Sequence, residues 1–123
     1  MAKLNHVSIR VRDWRVSRDW YVAHIGLAVE FELPERDTAA LKDAAGITLF
    51  LTETTDARIE PSCGLFFRVD DLEETYRRLV ERGVTFLAAP QQLFWGYGAE
   101  LCDPDGYRIA LWDERTMHAM RDT

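Results

Sequence analysis

Apolar and polar residues alternate over residues 4–11, where Val7, Ile9 and Val11 are interleaved with His6, Ser8 and Arg10. A period of two predicts a half-buried strand. Asp13 stands where a helix cap belongs, and Val16, Trp20 and Ala23 predict the apolar face of a helix that stops at Gly26. Strands are then expected at residues 29–33, 38–42 and 47–52. Residues 54–62 are polar and include Pro61, which predicts an exposed connection. The alternation resumes at Gly64. Asp71 with Glu74 makes a capping box, and Leu72, Tyr76, Leu79 and Val80 recur at i, i+4, i+7 and i+8, predicting a helix that ends at Gly83. Strands are expected again at residues 84–88, 93–102 and 107–112. Asp103-Pro104-Asp105-Gly106 predicts the turn before the last strand: Asp accepts local backbone bonds, Pro presets φ and Gly takes positive φ.

The two stretches have one design. Residues 6–22 can be laid on residues 64–80 with a shift of 58, so that Ile9-Arg10-Val11-Arg12-Asp13-Trp14 falls on Phe67-Arg68-Val69-Asp70-Asp71-Leu72. Later the shift is 60: Asp43-Ala44-Ala45-Gly46 falls on Asp103-Pro104-Asp105-Gly106, and residues 48–52 fall on residues 108–112. Identity between the halves is low, and the repeat rests on order and spacing. Each half reads as strand, helix and three strands.

With 123 residues and 47% hydrophobic composition, the chain has the size of one globular domain, 1–123. Its parts are modules 4–53 and 64–113, a linker 54–63 and a polar tail 114–123, read as one frayed helical turn. No apolar run approaches a membrane span, and residues 1–10 lack a signal peptide's apolar stretch, so no membrane partner is expected and the cytoplasm is the expected location. A net charge of −6 has the wrong sign for a phosphate backbone, so nucleic acid is not expected as a partner. Cys63 and Cys102 are far apart, suggest no zinc ribbon or disulfide scaffold, and read as small buried residues. There is no Gly-x-Ser-x-Gly and no glycine-rich phosphate loop.

The order of elements, with Leu4-Asn5-His6-Val7, Phe66-Phe67-Arg68-Val69-Asp70-Asp71-Leu72, Trp95-Gly96 and Asp103-Pro104-Asp105-Gly106-Tyr107, resembles the vicinal oxygen chelate superfamily. That superfamily includes glyoxalase I, bleomycin-resistance proteins and extradiol dioxygenases, and the resemblance spans residues 4–113. It implies an α+β fold in which two βαβββ modules form curled mixed sheets around a cup-shaped pocket. In the family's enzymes, four side chains on the first and last strands of the modules bind a divalent metal. Carried onto this chain, those positions are His6, Phe50, Gly64 and Ala110. One imidazole does not replace a cation's hydration shell, so no metal or other cofactor is expected. Glu53 and Glu100 are the nearest substitute donors.

If the family's metal positions face inward, alternation brings His6, Ser8, Arg10, Thr48, Phe50 and Thr52 inward from the first module. From the second it brings Gly64, Phe66, Arg68, Arg108, Ala110 and Trp112, while Glu100, Trp95 and Tyr97 add to the expected ligand site. The opposite parity is almost wholly apolar and belongs under the helices. Phe50 and Phe66 either stack on a ligand or plug the cavity. Arg10 and Arg68 either pair with Glu100 or another carboxylate or bind an anionic ligand. His6 is a pocket residue, a relic or a general base, and is the one catalytic candidate. His24 and His118 read as surface residues. Three functions are compatible with this pattern. The first, nearest to bleomycin-resistance-like proteins, is metal-free sequestration of an aromatic or planar small molecule, such as an antibiotic or metabolite, by a homodimer with pockets shared between chains. The second is a glyoxalase-like lyase or isomerase, or a dioxygenase-type enzyme, around His6. The third is an inert dimerisation module.

Overall fold

A computed structural model describes residues 1–56, 58, 59 and 63–121, with the side chains of residues 119–121 excepted. Part of the connection expected at residues 54–62 thus lies outside the described residues. The chain forms two compact units, 1–60 and 61–123.

In the first unit, strand β1 (His6–Val11) leads to Asp13, whose Oδ1 accepts the N–H groups of Arg15 and Val16 at 3.0 and 3.2 Å and so starts α1 (Trp14–Trp20). The helix runs on into a π-helical turn, Tyr21–Ile25, closed by Gly26 at φ +85°. Strands β2 (Ala28–Leu33), β3 (Thr38–Lys42) and β4 (Thr48–Glu53) complete a sheet ordered β1-β4-β3-β2, with β1 parallel to β4 and the other pairs antiparallel. The second unit repeats this with β5 (Gly64–Arg68), α2 (Leu72–Glu81), β6 (Phe86–Leu93), β7 (Gly96–Cys102) and β8 (Arg108–Trp112), ordered β5-β8-β7-β6. Even the register is shared: His6 pairs with Thr48 in the first sheet and Gly64 with Arg108 in the second.

The helix faces differ from the sequence expectation. Trp14, Ser17 and Tyr21 are buried in the first unit and Leu72, Thr75 and Leu79, their counterparts at a shift of 58, in the second. Val16 is 51% exposed, Ala23 is exposed and Val80 is 45% exposed. At roughly 100° per residue, a helix that buries Trp14 and Tyr21 turns Val16 about 200° away. The small Ser17 and Thr75 occupy the inward turn instead. His24, expected at the surface, is half-buried with its ring 5.5 Å from that of Trp20.

The π turn accounts for an offset between the halves. Leu27 donates to the carbonyl of Tyr21, six residues back, whereas Val84 donates to that of Leu79, five back. The first helix holds one more residue, taken up as a wider turn. The second unit gains residues later, in a β6–β7 hairpin. The strand expected at 93–102 is in fact the tip and far arm of this hairpin: Leu93 ends β6, Phe94 and Trp95 form the tip, and Gly96 opens β7 at φ +144°. Pro90 is tolerated inside β6 because β6 is an edge strand with a register shift between Ala88 and Gln91. The tail is also more ordered than expected, forming α3 (Glu114–Arg121), which lies against β7 with Met117 buried. Cys63 is exposed and Cys102 half-buried, both as free thiols, so neither is the buried residue expected.

One face of each sheet is closed by its helix, with Ile9, Val11, Leu49 and Leu51 buried in the first unit and Leu101, Ile109 and Leu111 in the second. Two carboxylate devices recur. Asp43 Oδ1 accepts from the N–H groups of Ala45 and Ile47, and Asp103 Oδ1 from those of Asp105 and Tyr107, at 2.8 to 3.0 Å. Gly46 and Gly106 close these turns at φ +93° and +92°. At the end of the last strand, Glu53 Oε1 accepts the Trp14 N–H at 3.2 Å and Asp113 Oδ2 the Leu72 N–H at 2.6 Å. Asp113 also caps α3, its Oδ1 accepting the Thr116 N–H at 2.8 Å.

Burial acts to raise the Asp113 pKa, but hydrogen bonds from Thr116 and the Leu72 N–H, with the charge of Arg115, outweigh it and hold the carboxyl below its usual range. Asp113→Ala should therefore lower unfolding free energy by about 2 to 3 kcal/mol in urea titrations, because two helix N-termini lose a buried acceptor. A folded-state pKa below the unfolded value gives stability that is present above about pH 4 and lost as pH falls through the folded value. The wild type should therefore lose more stability than Asp113→Asn on acidification below about pH 4. A gap between the two that does not change with pH would contradict this.

Candidate functional site

The face of each sheet away from its helix carries the expected site residues. On the first sheet, β1 turns His6, Ser8 and Arg10 outward, and the parallel register sets Ser8 beside Phe50. Ala40 stands on the other side of Phe50 and Phe31 beyond it, in one row across the sheet. The small Ala40 leaves Phe31 and Phe50 to meet edge-to-face over it, their centroids 5.8 Å apart, and the His6 ring stands 5.1 Å from Phe50 in the same geometry. A bulge between Val29 and Phe31 brings Glu30 to the buried Thr48, whose hydroxyl donates to Glu30 Oε2 at 2.7 Å. Phe31 and Glu30 are not among the residues expected from sequence. Phe31 is found from the row across β2 once the sheet order is known, whereas the bulge that aims Glu30 leaves no sequence signal. Arg10 donates to Thr54 Oγ1 at 2.7 Å.

On the second sheet the matching row is Phe66, Ala110, Glu100 and Ala88. Phe66 is 55% exposed. The Trp95 ring, carried back from the hairpin tip, meets Phe66 edge-to-face at 5.1 Å and donates its Nε1–H to Glu100 Oε2 at 3.0 Å. Arg108 Nη1 lies 3.4 Å from the other oxygen, Oε1, so Glu100 pairs with Arg108. Arg68 instead pairs with Glu114 of α3 at 2.8 Å. Gly98 lies beneath the indole, where a Cβ would overlap both the Trp95 ring and the Leu111 carbonyl oxygen. Trp112 is half-buried next to Arg68 in the register. Tyr97 alternates with Gly98 and Glu100 along β7, and its hydroxyl donates to the Pro90 carbonyl at 3.4 Å, so it does not join this group.

A divalent metal does not fit these residues. Of the four positions the family would use, Phe50, Gly64 and Ala110 offer no donor atom, and His6 is exposed beside Asn5 Oδ1 at 3.2 Å. Glu53 is held on the helix side by the Trp14 N–H, and Glu100 by Trp95 and Arg108. Among the described residues, no three of His, Cys, Asp and Glu gather as a metal site requires. What the faces offer is open aromatic surface with a few fixed polar heads, the usual makeup of a small-molecule site.

Solved structures carry the same fold. An antibiotic-binding protein, TnmS3 from Streptomyces sp. CB03234, is 27% identical, with 92% of this chain and 96% of that chain covered and a TM-score of 0.77. A member of the glyoxalase/bleomycin resistance protein/dioxygenase superfamily from Sphaerobacter thermophilus is also 27% identical, covering 93% and 98%, with a TM-score of 0.76. Lactoylglutathione lyase from Agrobacterium tumefaciens shares the fold at 14% identity, covering 94% and 96%, with a TM-score of 0.75. No curated protein is similar enough to count as a match. The model of one family, the Glyoxalase/Bleomycin resistance protein/Dioxygenase superfamily, matches residues 3–111. With the duplicated module, the sheet order and this match in agreement, the chain belongs to that superfamily.

Proposed function

We propose that this chain is a metal-free binding member of the superfamily that sequesters a planar or aromatic small molecule, such as an antibiotic or a metabolite, without transforming it. The observation that carries the reading is the clustering of rings on the open faces, Phe50 with His6 and Phe31 on one sheet and Phe66 with Trp95 on the other, while three of the family's four donor positions are Phe50, Gly64 and Ala110. A flat ligand gains by covering these rings, with roughly 25 cal/mol per Å² of apolar surface and about 0.5–1.5 kcal/mol more for each well-placed ring pair. Glu100 and Glu30 supply acceptors that orient it. The antibiotic-binding relative supports the reading, since it has the same fold at 27% identity. The protein works in the cytoplasm as a homodimer.

Calorimetry with a panel of planar antibiotics and aromatic metabolites should find at least one ligand with micromolar affinity, and Phe66→Ala should weaken it about tenfold. No binding across a broad panel contradicts the reading. Light scattering behind size-exclusion chromatography should give about twice the mass of one chain, as a symmetric dimer requires; the mass of one chain contradicts the homodimer.

A further inference from the structure

The second sheet shows the outline of a ligand because one of the chain's own side chains fills it. The Trp95 indole lies over a bare stretch of β7, where Gly98 is the residue that leaves room for it. The two rings of Trp95 and Phe66 meet edge-to-face, and the indole N–H is held by a carboxylate whose side chain is only 12% exposed. Arg108 occupies the other oxygen of Glu100 and leaves Oε2 to a donor. Trp95 itself sits on a two-residue hairpin tip between Leu93 and Gly96, next to Phe94, which is 98% exposed. The ring is therefore built into the sheet face, while the backbone that carries it is a short loop with glycine at positive φ.

We infer that the slot formed by Gly98, Phe66, Ala110 and Glu100 is a binding site for a planar fused bicyclic ring bearing an N–H donor, with Trp95 as its resident occupant. The inference rests on the proposed binding function and names the chemical class for which the site is shaped. Glu100 selects the donor, because a ring of the same shape without an N–H leaves a half-buried carboxylate oxygen short of a partner. Trp95 sets the affinity, because an incoming ring binds only the fraction of molecules in which the indole has swung out.

Indole and benzothiophene, similar in shape but differing in the N–H, are titrated by amide NMR into the wild type, Trp95→Gly and Trp95→Gly/Glu100→Gln. Trp95→Gly should bind indole at least about tenfold more tightly than the wild type does, and about tenfold more tightly than benzothiophene. The added Glu100→Gln substitution should narrow the second gap. Equal binding of indole to the wild type and Trp95→Gly, or no preference for indole over benzothiophene, overturns the slot. Should Trp95→Gly not fold, the wild type alone decides: the Trp95 Nε1–H resonance must shift when a panel ligand binds, and a bound ligand that leaves it unmoved overturns the inference. Failure of every panel ligand to bind the wild type contradicts the proposed function, and the indole preference of the variant then judges the slot by itself.

Discussion

Each half of the molecule depends on one hydrogen bond between distant parts of its module: the carboxylate at the end of the last strand accepts the first N–H of the helix. Glu53 does this for Trp14 and Asp113 for Leu72. The bond ties the helix N-terminus to the strand that pairs with β1 or β5, and so seats the helix across one face of the sheet. Alternation then divides each strand into a covered apolar side and an open side. The open side is left to whatever chemistry the sequence places there.

That division separates fold from function here. The helix side and the carboxylate turns repeat between the two units, in register and in hydrogen bonding. The open sides share Arg10 with Arg68 but otherwise differ: His6 corresponds to Gly64, Phe50 to Ala110 and Ser8 to Phe66. A module duplicated for its architecture has diverged where it faces away from its helix. In a superfamily that takes in glyoxalases, bleomycin resistance proteins and dioxygenases, the same scaffold here carries clusters of aromatic rings on its open faces, and Phe50, Gly64 and Ala110 at three of the four positions the metal-binding enzymes use.

Much of this is legible in the sequence because strand alternation and turn chemistry are local. His6, Ser8 and Arg10 can be assigned to one face, and Asp103 and Gly106 to a turn, without knowing the rest of the molecule. Where sequence and structure part, the cause is a non-local choice. Val16 has the pattern of a core residue until Trp14 and Tyr21 fix the rotation of α1. The π turn at Tyr21–Ile25 and the bulge near Glu30 each change the phase of the residues after them, and neither has a composition signature. Trp95 is legible as an aromatic residue near the site. Its fold back onto Gly98 and Glu100 depends on a hairpin whose tip the sequence pattern places inside a strand.

The central claim is that the open faces bind rings and not a metal ion, and paramagnetic NMR tests it most directly. Manganese(II) is added stoichiometrically to the nitrogen-15-labelled protein at neutral pH. The account predicts weak, scattered broadening at acidic surface residues, with no saturation at one equivalent. Selective broadening around His6 that saturates at one ion per chain and disappears in His6→Ala would contradict it.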